Sequence, residues 1–209
     1  MKQEKADFLP HMSQHPFRPY NIKNAKKLII GSIPPHRFSE PKNLLCGDID
    51  WYYGSKNNAF WDILKQSCGD IEAKICTRKR QKGFLKNYKI GIFDMVHRCA
   101  RKNNHSASDS DLRKIKSVDA CKIIKNNKNL HLQLFFTSQF AANLFCKQTG
   151  CKIDLKIKKK QRVALHNKII DIIILYSPSP SWSRGYPDIR KHPNKNEMRQ
   201  TQYQQIFTT

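Results

Sequence analysis

Four apolar runs constrain this chain more than anything else in it: residues 27–31 (KLIIG), 90–96 (IGIFDMV), 132–137 (LQLFFT) and 169–176 (IIDIIILY). They are continuous rather than alternating, the pattern of parallel strands buried on both faces under covering helices. Amphipathic stretches lie at 58–66, 118–126 and 138–149, the last with Ser138 placed to cap its start and Gly150 placed to end it. Strand and helix in alternation predict an α/β fold, a three-layer α/β/α sandwich around a central, mostly parallel four-stranded sheet. The 209 residues suit a single domain with its core at about 27–185 and a last helix at about 197–207.

In such sheets, ligands bind at the carboxyl ends of the strands. Each run here ends in a polar or Gly/Pro-rich segment: Gly31-Ser32-Ile33-Pro34-Pro35-His36, His97-Arg98, Thr137-Ser138-Gln139 and Ser177-Pro178-Ser179-Pro180-Ser181-Trp182. These four loops are expected to meet on one rim.

Charge narrows the class of ligand. Lys and Arg number 39 against 16 acids, a formal net charge of +23, which points to a polyanion and first of all to nucleic acid. A lysine-rich proteome would give part of the same excess. The basic residues cluster at 78–82 (RKRQK) and 156–162 (KIKKKQR), each readable as phosphate contacts or as a solvated loop or hairpin. No apolar segment follows Met1-Lys2-Gln3-Glu4-Lys5, and no stretch approaches the roughly 18 apolar residues of a membrane span. A cytoplasmic, nucleoid-associated monomer acting on DNA, with no membrane contact, is the expectation. Seven cysteines without a CxxC pair indicate neither a disulfide framework nor a metal site, and no metal or other cofactor is expected.

Two segments carry chemistry. The glycine-led, proline-stiffened turn GSIPPH lets backbone approach a ligand closely. In residues 51–64 (WYYGSKNNAFWDIL), a core helix accounts for Phe60, Trp61, Ile63 and Leu64 but not for the tyrosine pair and the asparagines before them. GSIPP followed by YYGSKNNAFWDIL resembles the first motif region of the uracil-DNA glycosylase superfamily, in particular its hypoxanthine (deoxyinosine) and mismatch-specific branches. GIFDMVHRC with SASDSDLRKI, LFFTSQFAANLF and SPSPSW are similar to its later motifs, so the resemblance runs over roughly residues 27–185.

The resemblance implies a monofunctional DNA glycosylase that flips a deaminated or modified base out of DNA, hypoxanthine or uracil being favoured, and hydrolyses its N-glycosidic bond without lyase activity. By position, Asn58 is the catalytic residue, unless it only caps the following helix. Tyr53 stacks on the base, Asp94 accepts hydrogen bonds from it, and Ser32 and Ile33 line its pocket. Ser177, Ser179 and Ser181 grip the phosphates, with His36, Arg37 and Arg184 as further DNA contacts, and Trp182 is the candidate wedge for the vacated stack, or else simply packs beneath the C-terminal segment.

The chain also departs from the pattern. Ile33 stands where other branches carry a water-activating Asp or Asn, Pro35 replaces the glycine of GxxPG, and Ser177 replaces a closing-loop histidine. The segment 36–50 is longer than the usual connection. These departures keep two alternatives open: a glycosylase acting on hypermodified bases of foreign DNA, and a non-catalytic DNA-binding relative.

Overall fold

The computed structural model describes residues 11–69, 75–103, 106–156 and 159–208. Met1–Lys5, and Ile157 and Lys158 of the second basic run, lie outside them.

In chain order the elements are β1 (His11–Gln14), β2 (Lys27–Gly31), α1 (Phe60–Ser67), α2 (Arg78–Asn87), β3 (Ile90–Asp94), β4 (Val96–Arg101), β5 (Leu112–Ser117), α3 (Ala120–Asn126), β6 (His131–Phe136), α4 (Gln139–Thr149), β7 (Gln161–Leu165), β8 (Lys168–Ile174), α5 (Pro187–Arg190) and α6 (Lys195–Gln204). The main sheet runs β3-β2-β6-β8-β7, its first four strands parallel and β7 antiparallel on the far edge. The mixed α/β class is as expected. The sheet has five strands rather than four, because β7 folds back on β8 through His166 and Asn167, both at positive φ, the conformation a two-residue hairpin turn demands.

Burial explains why the four inner strands read as unbroken apolar runs. Ile29, Ile92, Phe135 and Ile173 point to one face, under Phe60, Ile63 and Leu64 of α1, Phe84 and Leu85 of α2 and Tyr203 of α6. Their neighbours Leu28, Ile30, Leu134, Phe136, Ile172 and Ile174 point to the other, under Ala120 and Ile124 of α3 and Ala141, Ala142 and Phe145 of α4. Ser138 accepts the backbone N–H of Ala141 and Gly150 ends α4 at φ 76°, so both expected caps are present.

The run 90–96 is not one strand. It breaks at Met95, where β3 leaves the main sheet and β4 begins a second, antiparallel sheet of order β1-β4-β5. From β1 the chain turns back over β3, pairing Tyr20 with Ile92 in both directions and covering an edge that would otherwise be open. The first basic run is likewise a helix rather than a loop: Thr77 caps α2, and Arg78 and Lys82 each lie 4.7 Å from the Trp51 ring. Those two cations hold the helix down by cation–π contact, and Arg78 also pairs with Asp50.

Candidate active site

The carboxyl ends of β2, β3 and β6 converge on Gly31. A methyl group built on Gly31 would overlap Oδ1 of Asp94 and lie 2.5 Å from the Tyr53 hydroxyl, so a glycine is required where the first strand meets the site. Tyr53 sits at φ 52°, a left-handed conformation that costs a non-glycine residue about 1–3 kcal/mol and clusters at functional sites. Its ring stacks on Phe60 with centroids 4.0 Å apart, and its hydroxyl is 2.8 Å from Thr137 Oγ1 at the end of β6. Burial, reinforced by the Asp94 charge, pushes the Tyr53 phenol well above its ordinary range and keeps it neutral.

Asp94, the last residue of β3, is 7% exposed and has a partner that no motif announces. His15 Nε2 donates to Asp94 Oδ2 at 2.8 Å, and His15 Nδ1 lies 2.8 Å from the Phe17 carbonyl oxygen and 3.1 Å from the Phe17 N–H. The backbone N–H of His15 donates to His97 O near the start of β4, so the N-terminal strap carries the imidazole to Asp94. The pair leaves Asp94 Oδ1, against Gly31, as the oxygen turned toward the site.

A second carboxylate also reaches the rim. Asp109 bonds to the hydroxyls of Ser32 and Ser138; burial raises its carboxyl, the two serine bonds oppose the rise, and the charge of Asp94 adds to it. Arg101, 1% exposed, ties the neighbourhood together by donating to Ser13 Oγ, Ser106 O and Pro34 O. Ser13 Oγ in turn lies 2.8 Å from His36 Nδ1, which fixes that imidazole beside the first loop.

Asn58 occupies the turn before α1. Its Oδ1 accepts the backbone N–H of Phe60, the first residue of the helix, at 2.9 Å, while Ala59 holds the N-cap position with no side-chain bond. Next to it, the N–H of Ala59 donates to Pro178 O, which docks the Asn58 turn onto the Ser/Pro loop after β8. In that loop Ser177 Oγ accepts the Ser179 N–H, and the Ser179 and Ser181 hydroxyls lie 3.5 Å apart. Ser181 and Arg184 are exposed.

Three residues stand otherwise than their motif positions imply. Trp182 is only 7% exposed; it packs on Tyr176 with centroids 5.1 Å apart, beneath the Arg199 guanidinium of α6, and so no wedge projects from it. Ile33 turns from the rim into a small cluster with Val96, Cys99 and Leu112 on the second sheet. Arg37 is spent inside the protein, donating through Nε and Nη2 to the Asp48 carboxylate and through Nη2 to Ser55 Oγ. Burial would raise the Asp48 carboxyl, but those bonds and the N–H groups of Lys56 and Leu45 outweigh it and hold it at about 2.

Among the described residues no cluster of three or more His, Cys, Asp or Glu side chains could hold a metal ion, and no helix is long and apolar enough to cross a membrane.

No protein-family model matches the chain, and no curated protein sequence does. A solved structure does: the solution NMR structure of a Methanosarcina acetivorans protein, described provisionally as a uracil DNA glycosylase, superposes with a TM-score of 0.57 over 94% of this chain and 99% of that one, at 16% identity. The chain shares that protein's fold. At such identity the fold is what the likeness establishes, and chemistry must be argued from the rim itself.

Proposed function

We propose that this chain is a monofunctional DNA glycosylase of the uracil-DNA glycosylase superfamily, in its hypoxanthine/mismatch-specific neighbourhood, acting in the cytoplasm on deaminated or modified bases, with hypoxanthine or uracil favoured. What supports the reading is that Tyr53 and Asp94 meet at Gly31, that Tyr53 stacks on Phe60, whose N–H bonds to Asn58, and that the fold is shared with a protein named for this activity. Tyr53, strained and neutral, offers the flipped base an aromatic platform beside an acceptor oxygen of Asp94. A carbonyl oxygen has two lone pairs, so Asn58 Oδ1 can accept the Phe60 N–H with one and orient a water toward the sugar C1′ with the other. The base departs as an anion and water completes the hydrolysis, so no cofactor is needed. Ser177, Ser179, Ser181 and Arg184 take the flanking phosphates, with His36 as a further contact.

End-labelled oligonucleotides carrying hypoxanthine, uracil, xanthine or a modified cytosine, treated with protein and then alkali, test this directly. The wild type should leave alkali-labile sites at one or more of these bases. Asn58→Ala should slow release at least about a hundredfold, a typical loss for a proton-handling group. Asn58→Ser, whose hydroxyl can still accept the Phe60 N–H, should be equally slow, because that bond is not the lost function. Salt-sensitive duplex binding without release from any substrate would instead establish a binding module.

A further inference from the structure

If a base leaves the duplex, something must fill the gap, and the residue whose motif position suggests a wedge, Trp182, is packed away under α6. Among the described residues five large apolar side chains are exposed: Met12, Leu45, Leu130, Ile169 and Met198. Leu130 and Ile169 stand at the amino-terminal ends of β6 and β8, opposite the rim, and Met12 and Met198 belong to β1 and α6. Leu45, 48% exposed, lies in the long connection 36–50 that directly continues the first strand-end loop.

That loop is braced beyond what a solvated connection needs. The Asp48 carboxylate, with no exposed side-chain surface, accepts the Leu45 N–H, the Lys56 N–H and both Arg37 bonds, and the Asp48 N–H donates back to Leu45 O. Arg37 continues to Ser55, whose carbonyl accepts the Asn58 N–H, so one chain of hydrogen bonds links the Leu45 turn to the Asn58 turn. Leu44 anchors the same loop by packing against the core, which leaves Leu45 turned outward. A lone exposed leucine is ordinary on a protein surface. One held outward by a buried carboxylate, and tied by hydrogen bonds to the turn of the proposed catalytic residue, is a preformed apolar probe, and rigid presentation lowers the entropy lost on insertion.

We propose that Leu45 is the residue that enters the DNA stack when a base is flipped, a role that rests on the glycosylase reading above. The chemistry it requires is a duplex with one unstacked position; Lys42 and Lys56 on the same loops supply cations for the adjacent phosphates.

The test uses the full chain and a duplex with a stable abasic-site analogue beside 2-aminopurine, whose fluorescence reports stacking of its neighbour. Wild-type binding should change the signal. Leu45→Ala should still bind but lose most of the change, Leu45→Phe should retain it, and Leu130→Ala, which removes a still more exposed leucine at the opposite end, should behave as wild type. On a cleavable base, Leu45→Ala should lower the ratio of duplex to single-strand excision on the order of tenfold, the scale of one lost stacking contact. A full fluorescence change in bound Leu45→Ala overturns the assignment even where base excision is established. Wild type that excises nothing and leaves 2-aminopurine undisturbed overturns the glycosylase reading and this one with it.

Discussion

The two banks of the rim are built on opposite principles. On the β2–β3 bank the charged groups are buried and answered within the protein: His15 on Asp94, Arg101 on Ser13 and Pro34, Asp109 on Ser32 and Ser138. On the β8 bank the polar groups are neutral hydroxyls, bonded to each other or to their own loop, and Ser181 and Arg184 stay in water. Buried, mutually satisfied charges resist displacement, because moving one strands its partner. The first bank is therefore suited to reading a fixed shape, and the second to closing on a phosphate backbone whose position varies.

The sharpest way to break this contrast is to remove one member of the buried pair. Asp94→Ala leaves the His15 N–H without an acceptor in a site that water barely reaches, and should cost on the order of 3 kcal/mol. His15→Ala should cost about as much, and the double variant clearly less than the sum of the two, when all are compared by denaturant unfolding. Additive losses would mean that the pair is only a contact and that the first bank is no more rigid than the second.

A comparable loss is expected from the hydrophobic footing of the second bank. Trp182→Ala removes a buried ring between Tyr176 and Arg199 and should lower stability by about 3 kcal/mol, the low end for a buried aromatic truncated to alanine. Trp182→Phe should recover most of that stability. If Trp182 acted on DNA, Trp182→Ala would instead lower duplex excision at unchanged stability, and the outward reading of the ring would return.

How much of this was legible beforehand follows from which interactions are local. The inner strands of the main sheet and the caps of α4 depend on neighbours a few residues away, and the sequence displays them. Asp94 was marked by its place in GIFDMVHRC, the segment inside the run 90–96 that carries a motif resemblance. His15 was not: its partner lies 79 residues on, and what brings the two together is the pairing of β1 with β4, a short polar strand on a second sheet with no periodic signal. β7 was hidden in the same way, its lysine-rich approach reading as a charged loop. Composition does not say which way a side chain turns. Trp182, Ile33 and Arg37 all sit beside the site and face away from it, because a tryptophan beside α6, an isoleucine beside the second sheet and an arginine beside Asp48 each find partners at lower cost than water. Conversely Asp109, in a run of serines and aspartates, gave no sign that it would reach Ser32 and Ser138.

The smallest expected effect is the one that most directly sharpens the contrast between the banks. Removing both hydroxyls in Ser179→Ala/Ser181→Ala deletes two neutral groups that bond chiefly to each other at 3.5 Å, so stability should change by no more than about 0.5 kcal/mol, as at ordinary surface positions. If these hydroxyls meet phosphates, duplex affinity should fall a few-fold, and the slope of log affinity against log salt should stay unchanged, because neutral donors release no counterions. Arg184→Ala should shallow that slope by about one phosphate's worth while costing the fold nothing measurable. A salt titration of the three proteins by fluorescence anisotropy separates the outcomes: a double-serine variant that alters neither affinity nor slope would remove the Ser/Pro loop from the DNA interface and leave its role as the dock for the Asn58 turn, through Pro178 O.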